Sequence, residues 1–249
     1  MAQLQLGFVA EMGGGKTAST TYVKEIYPGT PSERFSDSLR EFITWFNERK
    51  MAGEFAGGDR DHLEHALEEG LCASYPWEIV SRAANKGQFL QFADWVVINW
   101  LYADTREVKV DRTTMQELST ALRTSFAENI LEQTIIARSQ THHSGSPITI
   151  IEGIRRFVDI RAMLKEPSFK LVYLECDPKI AYLRTVSRNE NPGDAEMTFE
   201  EFMLRRGAEA ESQIKLLKPY AHLVIDNNGD IAALHSKLRH AILLWLSGF

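Results

Sequence analysis

Residues 4–21 read LQLGFVAEMGGGKTASTT, and this stretch constrains the fold more than any other. An apolar run leads into Gly13-Gly14-Gly15-Lys16-Thr17, and a segment that can be helical follows. A strand, a glycine loop and a helix in that order make a phosphate-binding P-loop. Glycines lack Cβ, so Gly13, Gly14 and Gly15 let the backbone wrap closely around a phosphate. The loop amides and the helix N-terminus offer donors and partial positive charge. Lys16 can reach the β- and γ-phosphates, and the Thr17 hydroxyl can bind Mg²⁺. The pattern asks for glycine six residues before the lysine, and this chain has Ala10 there. The competing reading is a glycine-rich turn with no ligand.

The chain has 249 residues, enough for one large α/β domain or a domain with an insert. Hydrophobic residues make up 44% and charged residues 25%, the balance of an ordinary globular protein. A net charge of −6 argues against a broad electrostatic footprint for nucleic acid. Phosphates would be met by a few focused Arg and Lys residues. Cys72 and Cys176 have no metal-binding spacing, and Cys176 reads as a buried free thiol. The start of the chain does not read as a signal peptide, and no apolar run is long enough for a membrane span. The cytoplasm is therefore the expected compartment, with no nucleic-acid or membrane partner.

Four apolar runs, at 5–10, 147–152, 170–176 and 221–226, predict buried parallel strands. A short edge strand is expected at 33–37. Helical patterns fall at 39–50, 199–217 and 231–246. Alternating strands and helices imply an α/β fold, a parallel sheet with helices on both faces. Ligands of such sheets sit at the carboxyl ends of the strands. Attention therefore falls on the glycine loop, on Glu152-Gly153-Ile154-Arg155-Arg156, on Asp177-Pro178 and on Asp226-Asn227-Asn228-Gly229. Between about 51 and 110 the composition shifts, with Phe55, Tyr75, Trp77, Phe89, Phe92, Trp95, Trp100 and Tyr102. A mainly helical insert is expected there. Its aromatics would line a base pocket, form a subunit contact or build the insert's own core.

By Ile151 the pattern resembles the P-loop kinases of small phosphate acceptors, the nucleoside and deoxynucleoside monophosphate kinases and dephospho-CoA kinase. The carrying residues are the glycine loop, Phe35-Ser36-Asp37-Ser38-Leu39-Arg40-Glu41, Arg112, Gln116-Glu117-Leu118-Ser119-Thr120-Ala121-Leu122-Arg123, Ile151-Glu152-Gly153-Ile154-Arg155-Arg156, Arg184-Thr185-Val186-Ser187-Arg188 and Ile225-Asp226-Asn227-Asn228-Gly229. The resemblance covers nearly all the chain outside 51–110. It implies a P-loop kinase core over 1–50 and 111–249, a lid over about 184–206, and ATP and Mg²⁺ as cofactors. Ala10 and the insert depart from the pattern.

Phosphoryl transfer needs positioning and positive charge more than covalent work. The resemblance implies that Gly13, Gly14, Gly15, Lys16 and Thr17 hold the donor, with Thr17 and Glu152 on Mg²⁺. Glu152 could instead orient the acceptor, cap a helix or pair with Arg155. Asp37 would accept a hydrogen bond from the acceptor or act as a base, or else cap the helix near Ser38. Arg40, Arg123 and Arg155 are expected to meet an acceptor phosphate through bidentate contacts. Arg184 and Arg188, four apart on one helix face, would point at the donor phosphates, or would form a solvated basic face. Asn227 would pass the adenine. The expected activity is transfer to a nucleoside or deoxynucleoside monophosphate by a monomer or homodimer. Dephospho-CoA as acceptor and a nucleotide-binding regulator with little turnover are the alternatives.

Overall fold

Every residue of the first strand except Gln5 is buried, as a central parallel strand requires. The computed structural model describes residues 3–56, 60–75, 80, 86–102, 107–141, 145–189, 193–207 and 213–248. In chain order the elements used below are β1 (Leu4–Val9), α1 (Lys16–Ile26), β2 (Ser32–Arg34), α2 (Asp37–Met51), α3 (Arg60–Ser74) and α4 (Lys86–Val96). They continue with α5 (Arg112–Ser125), α6 (Ile130–Thr141), β3 (Ile148–Glu152), β4 (Phe169–Glu175), α7 (Pro178–Arg188), α8 (Phe199–Arg206), β5 (Leu223–Asp226) and α9 (Ile231–Leu246).

The chain divides into two units, Met1–Glu33 with Thr141–Phe249, and Arg34–Gln140. The first holds the sheet, in the order β2-β3-β1-β4-β5. The β1–β3, β1–β4 and β4–β5 ladders are parallel. The sheet order turns back at β1, so the glycine loop leaves the sheet at a topological switch point, where open α/β sheets bind ligands. Leu4, Leu6, Phe8, Ile148, Ile150, Val172, Leu174 and Ile225 form the core with Leu234, Leu238 and Ile242 of α9. The helical spacing of those α9 residues gives one apolar stripe, and Asp230 caps the helix by accepting from the Ala233 amide at 2.8 Å. Asp177 caps α7, with Pro178 in its first turn. Thr198 and Glu201 form a reciprocal box at the start of α8.

The second unit is helical. The aromatic residues of the region expected to be an insert pack against α2. Phe42 lies 5.8 Å from Phe92 and 6.1 Å from Trp100 between ring centroids. Phe46 lies 5.1 Å from Phe55 and 5.0 Å from Trp100, and Phe92 lies 5.4 Å from Phe126. These rings are the unit's own core, one of the three readings the sequence leaves open. Trp77 lies outside the described residues. Asn47 locks Val108 by giving and receiving one hydrogen bond, each 2.8 Å. Lys50 Nζ donates to the Trp100 carbonyl at 2.6 Å, in a π-helical turn (Val97–Leu101) that continues α4.

The helices α2, α5 and α6 group with the aromatic segment in the second unit, whereas the sequence reading set the insert at 51–110. Two expectations shift. The edge strand is Ser32–Arg34, since Asp37 already opens α2. The long helix expected at 199–217 is Phe199–Arg206 in its described first part, followed by Gly207, and 208–212 lie outside the described residues. The expected lid over about 184–206 contains 190–192, also outside them, and α7 ends before these at Asn189, a left-handed residue with φ 47°. Among the described residues no helix is long and apolar enough to cross a membrane.

Candidate functional site

The loop between β1 and α1 is closed by its own backbone. The Gly14 amide donates to the Glu11 carbonyl at 3.0 Å. Gly13 and Gly15 sit at φ 73° and 101°, the left-handed region that favours glycine. A Cβ on Gly13 would fall 2.6 Å from the Ala181 carbonyl oxygen of α7, and one on Gly15 would fall 2.4 Å from Asn227 Nδ2. A Cβ on Gly14 would fall 2.7 Å from the Ala10 methyl. That contact explains the departure from the pattern, because the added methyl at position 10 occupies room that a bare Gly14 leaves. Gly15, the N-cap of α1, has no side chain to cap the first amides, so the helix start presents donors and positive partial charge. Lys16 Nζ donates to the Ala10 carbonyl. Thr17 follows on the first turn, exposed. The cradle, its donors and its lysine therefore fit a polyphosphate.

A second layer fixes the loop. Asn227, buried after β5, donates through Nδ2 to the Gly14 carbonyl at 2.9 Å. Arg184 of α7 donates to the Asn227 carbonyl at 2.7 Å and to the Gly229 carbonyl at 2.6 Å. Its guanidinium braces the loop after β5, where the sequence reading expected it at the donor phosphates. Arg188 lies one turn further along α7, exposed. Arg206, at the end of the stretch expected to be a lid, is buried beneath the glycine loop. It donates to Glu11 Oε2 at 2.8 Å, the Met12 carbonyl at 3.0 Å and the Cys176 carbonyl at 3.1 Å. No local sequence signal marks this role. Cys176 is a buried free thiol, and burial pushes it up, away from the thiolate form, although Arg184 and Arg206 pull the other way.

Glu152 ends β3, the strand beside β1, with its register partner near Phe8. Its carboxylate lies 3.9 Å from Lys24 Nζ of α1. The following turn is organised by buried Asp159, whose Oδ2 accepts from the Arg155 and Arg156 amides at 3.1 and 2.9 Å. Both arginines end up exposed. Among the described residues no group of three or more His, Cys, Asp or Glu is placed to hold a metal ion.

A cavity of about 480 Å³ opens beside the loop. Gly13, Gly15, Arg184, Arg188 and Asn227 form its polar side, and Ala18, Leu183, Ile231 and Leu234 its apolar wall. A concave, mostly apolar space next to a phosphate cradle suits a flat ring attached to phosphates.

In the second unit, Asp37 opens α2 and accepts the Arg34 amide at 3.2 Å, so it turns the chain into the helix. Arg40 is exposed on α2. Arg123 is engaged along α5, through Nε to Ser119 Oγ at 3.2 Å and through Nη1 to the Glu128 carbonyl at 2.9 Å. It therefore ties down the turn after α5.

No protein family and no curated protein matches the chain. Among solved structures it is similar to TT1252 from Thermus thermophilus, at 12% identity and TM-score 0.46 over 98% of both chains. It is similar to the shikimate kinase from Acinetobacter baumannii, solved with shikimate, at 15% identity and TM-score 0.42 over 97% of this chain and 93% of that one. It is also similar to the dephospho-CoA kinase from Campylobacter jejuni, at 13% identity and TM-score 0.41 over 98% of both chains.

Proposed function

We propose that the chain is an ATP- and Mg²⁺-dependent kinase acting on a nucleoside or deoxynucleoside monophosphate. The observation that carries this is the loop itself: two left-handed glycines, an uncapped helix start and Lys16 turned back onto the loop. ATP, when bound, supplies the phosphoryl group. The amides of Gly13, Gly14 and Gly15 and the Lys16 ammonium would hold its phosphates. Thr17 and Glu152 would hold Mg²⁺, which typically takes one or two protein ligands beside phosphate and water.

Lys16 offsets negative charge that grows during transfer, and removing such a contact costs roughly 10²–10³ in kcat. Arg188 acts on the same charge from the end of α7. Arg155 and Arg156, held in place through their backbone by Asp159, leave their guanidinium groups at the surface after β3. Such forks match a monoester phosphate, as lysine would not. Arg184 is assigned to holding the turn after β5. A phosphate acceptor needs no general base, whereas a hydroxyl acceptor such as dephospho-CoA would need one.

The test is a coupled ADP-release screen with every ribo- and deoxyribonucleoside monophosphate and dephospho-CoA. The proposal expects turnover with one or a few monophosphates. Turnover with dephospho-CoA alone would move the acceptor, and tight ATP binding without turnover would make the chain a nucleotide-binding regulator.

A further inference from the structure

Glu11 places a carboxylate inside the loop that is to receive phosphates, and like charges at close range repel. The chain answers with a buried arginine. Arg206 is 5% exposed, and a buried guanidinium needs partners for its charge and its donors. It finds three acceptors in two segments, the Glu11 carboxylate and Met12 carbonyl of the loop and the Cys176 carbonyl just after β4. Its own position is set by α8. Thr198 and Glu201 fix the helix start, Phe202 is fully buried, and the guanidinium sits 6.0 Å from that ring's centroid. Lys215 approaches the other Glu11 oxygen at 3.3 Å, but its side chain is 62% exposed, so it contributes little.

We propose that Arg206 is a positioning residue for the phosphate loop, fixing the Glu11–Met12 turn and offsetting the Glu11 charge so that the cradle accepts anions. The inference rests on the loop being a phosphate site. A lysine at 206 would not reproduce it, because one ammonium lacks the planar fork that meets three acceptors. Removing Arg206 has two separable effects, a loosened turn and a bare carboxylate beside the phosphates.

The experiment measures binding of a fluorescent ADP analogue and of inorganic tripolyphosphate by the full chain, with folding checked by circular dichroism and thermal melting. The proteins are wild type, Arg206→Lys, Arg206→Ala and the double variant Arg206→Ala with Glu11→Gln. Arg206→Ala is expected to weaken both anions by roughly tenfold or more, and Arg206→Lys by an intermediate amount. The double variant is expected to bind several-fold more tightly than Arg206→Ala, because the bare charge is gone. Unchanged affinity in Arg206→Ala overturns the inference. A double variant no tighter than Arg206→Ala also overturns it, and leaves Arg206 a packing residue. Wild type that binds neither anion overturns the phosphate loop and this inference together. Wild type that binds both anions but transfers to no acceptor overturns only the kinase proposal, and the variants still decide the role of Arg206.

Discussion

The Asn227 side-chain amide donates to the Gly14 carbonyl at 2.9 Å, and a Cβ on Gly15 would come within 2.4 Å of the same nitrogen. The floor of the glycine loop is thus a residue that arrives after β5. Gly15→Ala combines that clash with a φ of 101° and is expected to cost about 1–3 kcal/mol, with loss of nucleotide binding. Asn227→Ala orphans the Gly14 carbonyl and is expected to cost about 1–3 kcal/mol with weaker nucleotide binding. Urea unfolding and titration with a fluorescent ADP analogue check both. Tight binding by Gly15→Ala would contradict this account of the loop.

Arg184 and Arg188 separate by role, although they share one helix face. Arg184→Ala removes a charged donor from the Asn227 and Gly229 carbonyls and is expected to destabilise by about 1.5–3 kcal/mol. Arg188→Ala is expected to leave stability within about 0.5 kcal/mol and to lower kcat more than it weakens ATP binding. Melting curves and steady-state kinetics on the two variants distinguish them. Equal destabilisation would remove the division of labour.

The aromatic cluster of the second unit predicts a large packing effect. Phe42 is fully buried among Trp45, Tyr75, Phe92 and Trp100. Phe42→Ala should cost about 3–5 kcal/mol. A loss under about 1 kcal/mol in chemical denaturation would mean the rings are not the unit's core.

His222 gives a pH dependence of known sign. Its Nδ1 accepts the Leu171 amide at 3.0 Å, which only the neutral ring can do. Burial, with a smaller push from Lys170, holds the ring below its ordinary value of 6.5. The unfolded chain therefore binds this proton more readily than the folded one. The stability is fully present above the ordinary value and declines as pH falls through it toward the depressed one. The drop in melting temperature between about pH 8 and about pH 5.5 should shrink in His222→Gln, whose amide oxygen can still accept. An equal drop in both proteins would contradict this.

Much of the first unit was legible in the sequence because its signals are local. The strand into Gly13-Gly14-Gly15-Lys16-Thr17 carries its own pattern, and α9 was expected at its observed bounds from its helical pattern. The supports of the site were not legible. Arg206 meets Glu11 across 195 positions, and nothing near either residue announces the pair. Arg184 and Arg188 look alike in sequence, and only the loop after β5 tells them apart. The grouping of α2 with the aromatic segment was not legible because α2 reads as an ordinary amphipathic helix. Its apolar face in fact packs Phe42 and Phe46 against rings from far along the chain. Ala10 looked like a weakness until Gly14 was found beside it.

The most direct test of the central claim is acceptor-dependent ADP release by wild type and Lys16→Ala, side by side, with folding verified for both. The account predicts turnover by wild type with a nucleoside or deoxynucleoside monophosphate, and a loss of roughly 10²–10³ or more in kcat for Lys16→Ala with the fold intact. Near-full turnover by a folded Lys16→Ala protein would contradict it.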